Sequence, residues 1–162
     1  MNDARSDTCC PEFNPEPWDK KIHVWKDKPF LVRTVPQFLH MPIPGFYGKA
    51  ITAMYEEAEY EGIAPGAGEC LLLTHDPSPW KSILYLAVTE AKPGVPVETL
   101  SGTFASMVFD APYNKVPSFI EIMDMWLAES GKQAKKYYFY FTTCPKCAKK
   151  YGHNYIVAFA QI

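Results

Sequence analysis

Several features this chain does not have exclude whole classes of function. No apolar run approaches the roughly 20 residues that a membrane-spanning helix needs, and the opening MNDARSDTCC carries no apolar core of a secretory signal. The expectation is a protein that stays in the cytoplasm and off the membrane. Neither sign of charge dominates: 16 Lys and Arg against 18 Asp and Glu leave a net charge of −2, which argues against a general binder of nucleic acid. There is no G-x-S-x-G elbow, no H-E-x-x-H and no phosphate-cradling glycine loop, so the serine-hydrolase, zincin and nucleotide-binding classes fall away. Cysteine is scarce and odd in number, five in all. In a reducing compartment such residues are thiols or metal ligands before they are disulfides.

What is present suits a domain with a full-sized core. At 162 residues and 48% hydrophobic content the chain reads as one body, or as two small halves sharing a core. Aromatic residues reach 15%, and rings beyond what a core needs often line apolar ligand pockets. Residues 1–28 are rich in proline and charge, so they predict an extended arm pinned by Phe13, Trp18 and Trp25. The body then spans 29–162, with halves at about 29–92 and 97–162.

The halves are alike. The first offers a strand over Phe30–Met41, broken or bulged at Pro36, then a helix over Lys49–Glu61 ended by Gly62, then strands Cys70–His75 and Ser82–Glu90 around a DPSPW turn. The second offers a strand over Thr99–Phe109, a helix over Val116–Glu129 ended by Gly131, and strands Tyr137–Phe141 and Tyr155–Ile162 around a Cys-Pro-Lys-Cys turn. This predicts an α+β fold, a tandem β-α-β-β repeat. Its antiparallel sheet would carry two helices on one face and a ligand groove on the other.

That repeat, with F-x-A-P-Y (Phe109–Tyr113) before its second helix, resembles the GyrI-like small-molecule-binding domains over roughly residues 28–162. The resemblance implies a groove for a small apolar or aromatic molecule between pseudo-symmetric halves, as in drug-binding modules, and suggests xenobiotic sequestration. One branch of those domains hydrolyses cyclopropane-bearing toxins, so the alternative is a hydrolase of electrophilic xenobiotics. In that branch a catalytic carboxylate sits where this chain has Tyr138, so the expected acid is missing here. CCPEF-x-PEPW, DPSPWKS and YFYFTTCPKCAKKYGHNY also look like segments of a narrower family of stand-alone bacterial proteins often labelled hydrolases.

The candidate residues follow from these patterns. Tyr138 and Tyr140 share a strand face by the two-residue period. With Tyr85 from the other half and Trp80 from the DPSPW turn, they form a candidate aromatic box for a flat or cationic ligand; the alternative is that they pack on the arm. His40 is the candidate general base, with His75 as a substitute; a lone strand histidine is otherwise a structural hydrogen-bonding group. Cys144-x-x-Cys147, joined by Cys9 and Cys10, is a candidate zinc site. A redox pair and plain structural thiols stay open beside it, although the strand-into-helix setting of a redox pair is absent from this reading. A zinc-stapled interaction module is the third functional class. Lys146, Lys149 and Lys150 read as a solvated basic face.

Overall fold

The computed structural model describes residues 12–66, 69–142 and 145–162. Among them the elements run β1 (Lys21–Phe38), β2 (Met41–Pro42), α1 (Phe46–Tyr60), β3 (Leu72–Ser78), β4 (Lys81–Ala87), β5 (Val97–Asp110), α2 (Val116–Glu129), β6 (Lys136–Phe141), α3 (Pro145–Tyr151) and β7 (Tyr155–Gln161). The fold is mixed α/β. No helix of the described residues is long and apolar enough to cross a membrane. The chain divides into a central unit, Trp25–Gly102, and a terminal unit made of the described residues up to Val24 together with Thr103–Ile162.

In the central unit β4 is the middle strand, antiparallel to β1 from Phe30↔Ala87 to Pro36↔Lys81 and to β3 from Leu72↔Leu86 to Ser78↔Lys81. Alternation puts Leu31 and Val35 of β1 on the same side as Leu84 and Leu86 of β4, where they pack with Met54 and Ala58 of α1. Arg33 lies on that side too and reaches Glu57 of α1 at 3.2 Å. The other side buries Phe30, Leu73 and Tyr85. The DPSPW segment is less of a turn than its prolines suggest. β3 continues to Ser78 across a register shift between His75 and Ser78, and only Pro79 and Trp80 make the turn.

In the terminal unit β7 is the middle strand, antiparallel to β5 (Phe104↔Gln161 to Asp110↔Tyr155) and to β6 (Lys136↔Gln161 to Phe141↔Ile156). Ala105, Met107, Ala158 and Ala160 meet Met123 and Leu127 of α2; small alanines let a helix lie close to a sheet. Ser106, Phe159 and Tyr138 lie side by side on the opposite face. The N-terminal segment covers that face. Trp18 and His23 pack on Phe159 with ring centroids 5.8 and 5.9 Å away, and Phe13 packs on Tyr140 and Tyr155 at 6.0 and 5.8 Å. Ser106 donates to the Trp18 carbonyl at 2.6 Å, so His23 Nε2, 2.7 Å from the same hydroxyl oxygen, is the donor to it.

Helix ends follow the sequence closely. Gly62 and Gly131 both adopt positive φ (72° and 67°) just past α1 and α2. At each end the amide of the following residue returns to the helix, Ile63 to Ala58 and Lys132 to Leu127, both at 2.9 Å. Two differences from expectation are the largest. Strand β1 begins at Lys21, nine residues before the expected Phe30, because β-branched Ile22 and Val24 favour the extended state. Where a Cys-Pro-Lys-Cys turn was expected, the described residues from Pro145 onward form helix α3. Proline is compatible with a first helical turn, Ala148–Lys150 are good helix formers, and Gly152 (φ 74°) ends the helix. Strand β6 therefore does lead into a helix.

Burial lowers the pKa of His23, since a half-buried imidazole resists charging. The neutral form's contribution is present above the unfolded pKa near 6.5 and is lost as pH falls below it through the lower folded pKa. Thermal unfolding at pH 8 and pH 5 should show a larger fall in Tm for wild type than for His23→Gln. A difference of about 2–4 °C is expected, corresponding to no more than about 1 kcal/mol after allowing for half-exposure to solvent. Parallel curves for the two proteins would refute this role.

Candidate functional site

Two histidine–aspartate pairs occur among the described residues, one in each unit. The tighter lies where β5 ends and β7 begins, the two strands closing on the pair Asp110↔Tyr155. Gly152 turns the chain out of α3, and the next two residues, His153 and Asn154, fall beside the Asp110 carboxylate. Asp110 Oδ1 accepts the Asn154 amide at 2.9 Å, and Oδ2 lies 2.7 Å from His153 Nδ1. Asn154 also donates from its side chain to the Ala111 carbonyl at 2.6 Å and accepts the Ala111 amide at 3.2 Å. This mesh fixes the loop to the strand end.

The chemistry of the pair follows from its atoms. A carboxylate accepts only, so Nδ1 carries the proton, and in neutral His153 Nε2 holds the lone pair. The hydrogen bond from His153 and that from the Asn154 amide hold the Asp110 carboxyl below the usual carboxylate range, against a smaller opposing effect of burial. The His153 ring stacks on Tyr155, centroids 5.0 Å apart and planes at 13°. It lines a cleft of about 120 Å³ together with Glu12, Phe13, Tyr151 and Tyr155. An oriented imidazole in an aromatic cleft is an arrangement suited to proton transfer.

The second pair belongs to the central unit. His40 Nδ1 is 3.3 Å from Asp76 Oδ2, and the His40 amide donates to the Pro79 carbonyl at 3.0 Å. Leu39 and His40 both take positive φ (49° and 64°) at the β1–β2 turn, a conformation usually left to Asn and Gly. Trp80, 56% exposed, stands edge-to-face on Phe38 at 5.7 Å. His40 and Trp80 are thus brought to one corner.

The other expected residues are dispersed. Tyr85 is 3% exposed and set edge-to-face against Phe30, while Tyr138 is 1% exposed against Phe104. Tyr138 also lies under the Lys136 ammonium at 5.0 Å. Both are core rings. Tyr140 is half-buried and borders the His153 cleft through its contact with Phe13. Cys147 is fully buried in α3, whereas Cys9, Cys10 and Cys144 lie outside the described residues. Among the described residues no three His, Cys, Asp or Glu side chains gather as a metal cluster. His153 and Asp110 did not stand out in the sequence. The one signal for them was the strand order of the second half, which brings the end of FASMVFD next to the start of YIVAFAQ.

Over residues 1–162 the chain matches the family model described as bacterial hydrolase. The chain belongs to that family. No curated protein matches it.

Replacing Asp110 with Asn keeps the shape but weakens the mesh around His153. The expected loss of stability is about 0.5–1.5 kcal/mol near neutral pH, at the lower end because the pair is half-exposed. Because the folded pKa is depressed, that stability is present above the unfolded carboxylate pKa and is lost as pH falls through the folded one. Chemical denaturation at pH 7 and pH 3 checks this: the gap between the two proteins should narrow at the lower pH. An equal gap at both would rule out the carboxylate as its source.

Proposed function

We propose that the protein hydrolyses a small molecule at the His153 cleft, with His153 as general base and Asp110 as the group that orients it. The observation that carries this reading is the 2.7 Å contact from Asp110 to Nδ1 of a histidine lining an aromatic cleft. Membership of the bacterial hydrolase family supports it. Among the described residues the lining includes no serine, threonine or cysteine, and the reading takes water as the nucleophile. His153 Nε2 takes a proton from water as its oxygen attacks the substrate's acyl carbon. The tetrahedral intermediate collapses, the bond to the leaving oxygen breaks, and the imidazolium returns the proton to that oxygen. An acid and an alcohol leave. Tyr151 and Tyr155 are the phenols available at the cleft to stabilise the developing oxyanion.

The finer kinship belongs to the same reading. Both units order their strands first, last, middle, and both close their helices on a positive-φ glycine. This supports descent from a duplicated β-α-β-β unit of GyrI-like type. A xenobiotic substrate suits the aromatic walls. A second reading is binding without turnover, favoured by the ring contacts among Phe13, Tyr140 and Tyr155. In it Tyr140 is a ligand wall, and Trp80 with His40 forms a separate aromatic surface.

Small aryl acetates test the choice. Wild type should release the phenol, and His153→Ala should lower kcat/KM by about 10²–10⁴-fold, with Asp110→Asn intermediate. His153→Ala with wild-type activity would overturn the assignment. The same loss in His40→Ala instead would move the site to the central unit. Saturable binding with no turnover would favour the second reading.

A further inference from the structure

We infer that the His153 cleft selects substrates that carry a small cationic group, a quaternary or protonated amine, next to the bond that is cleaved. Three of its five described lining residues, Phe13, Tyr151 and Tyr155, are aromatic. Aromatic faces attract a cation through their quadrupole, worth about 0.5–1 kcal/mol at exposed sites and more where water is excluded. A fourth lining residue is Glu12, and the carboxylate of Asp110 stands behind the histidine. Among the described residues no lysine or arginine lines the cleft. Lys149 and Lys150 of α3 are the nearest cations in sequence, and both are exposed. Two carboxylates and three rings make the local environment favourable for positive charge and unfavourable for an anionic substrate.

Size narrows the class further. A space of about 120 Å³ is well below the roughly 300–1,000 Å³ of drug-sized pockets, so it accepts one compact group and not a fused ring system. A trimethylammonium head is compact, has no hydrogen-bond donors to satisfy, and suits ring walls. The ester bond next to it then lies against the imidazole that shares the wall. Turnover of such a substrate rests on the hydrolytic reading above; binding of the cation does not. In the thioester used below, water adds to the acyl carbon, the C–S bond breaks, and the thiolate takes the proton from His153. Acetate and a free thiol result.

The test compares acetylthiocholine with its uncharged isostere 3,3-dimethylbutyl thioacetate by thiol release, and measures tetramethylammonium binding by NMR titration. Wild type should prefer the cationic ester by about tenfold or more in kcat/KM. Glu12→Gln should raise KM several-fold more for that ester than for the neutral one, and Phe13→Leu should weaken tetramethylammonium binding. Equal hydrolysis of both esters, unaffected by Glu12→Gln, would overturn the cation selectivity and leave the hydrolase standing. Tetramethylammonium bound in a Glu12-dependent way without turnover of either ester would uphold the cation site and remove the hydrolytic reading. Neither binding nor turnover would remove both.

Discussion

Strand β7 has no exposed side chain from Ile156 to Ala160, and the terminal unit is built to meet that constraint. A strand buried on both faces needs two covers. The alanines at 158 and 160 turn one face toward α2, which closes on it through Met123 and Leu127. The other face carries Phe159, too large to leave in water, and the N-terminal segment covers it with Trp18 and His23. A polar clasp fixes that segment in place: Ser106 to the Trp18 carbonyl, His23 to Ser106, and the Val108 amide to Asp19. The ring of Phe13, and with it one wall of the cleft, is positioned as a consequence of burying β7. The same burial makes Tyr155, the first residue of β7, a fixed floor on which His153 stacks.

Much of this was legible because local chemistry and tertiary demand agree. The apolar stripes of α1 and α2 and the glycines after them gave the helices nearly to the residue, since a positive-φ stop is a backbone requirement that only a few residues satisfy. The buried strands were legible for the same reason. Helix α3 was not. Pro145 between two cysteines reads as turn chemistry when seen alone, and the tolerance of proline in a first helical turn shows only once the following residues are known to propagate a helix. The aromatic box was half-legible. The two-residue period correctly placed Tyr138 and Tyr140 on one face, but period says nothing about depth along a strand. Mid-strand Tyr138 is sealed in the core, while Tyr140, one pair from the strand end, is half-buried and packs on Phe13 of the cleft wall.

The His153–Asp110 pair was illegible for a different reason. His153 and Asp110 are 43 residues apart, and neither stands in a spacing that chemistry would require. They meet because β5 and β7 finish their ladder at Asp110↔Tyr155, so the last residue of one strand and the residues just before the other share a corner. The central unit makes the matching corner at Pro36↔Lys81, and a histidine–aspartate pair sits near it too. The two pairs are not copies. In the terminal unit the carboxylate ends the first strand and the histidine precedes the last. In the central unit the histidine follows the first strand and the carboxylate comes from β3, an outer strand of its three-strand ladder. A role established for one pair therefore does not transfer to the other by the similarity of the units. What the corners share is physical: each lies where a strand ladder ends, and at each an aspartate meets a histidine. At the terminal corner that carboxylate also holds an imidazole against an aromatic floor, and the central corner has only the looser pair beside Trp80.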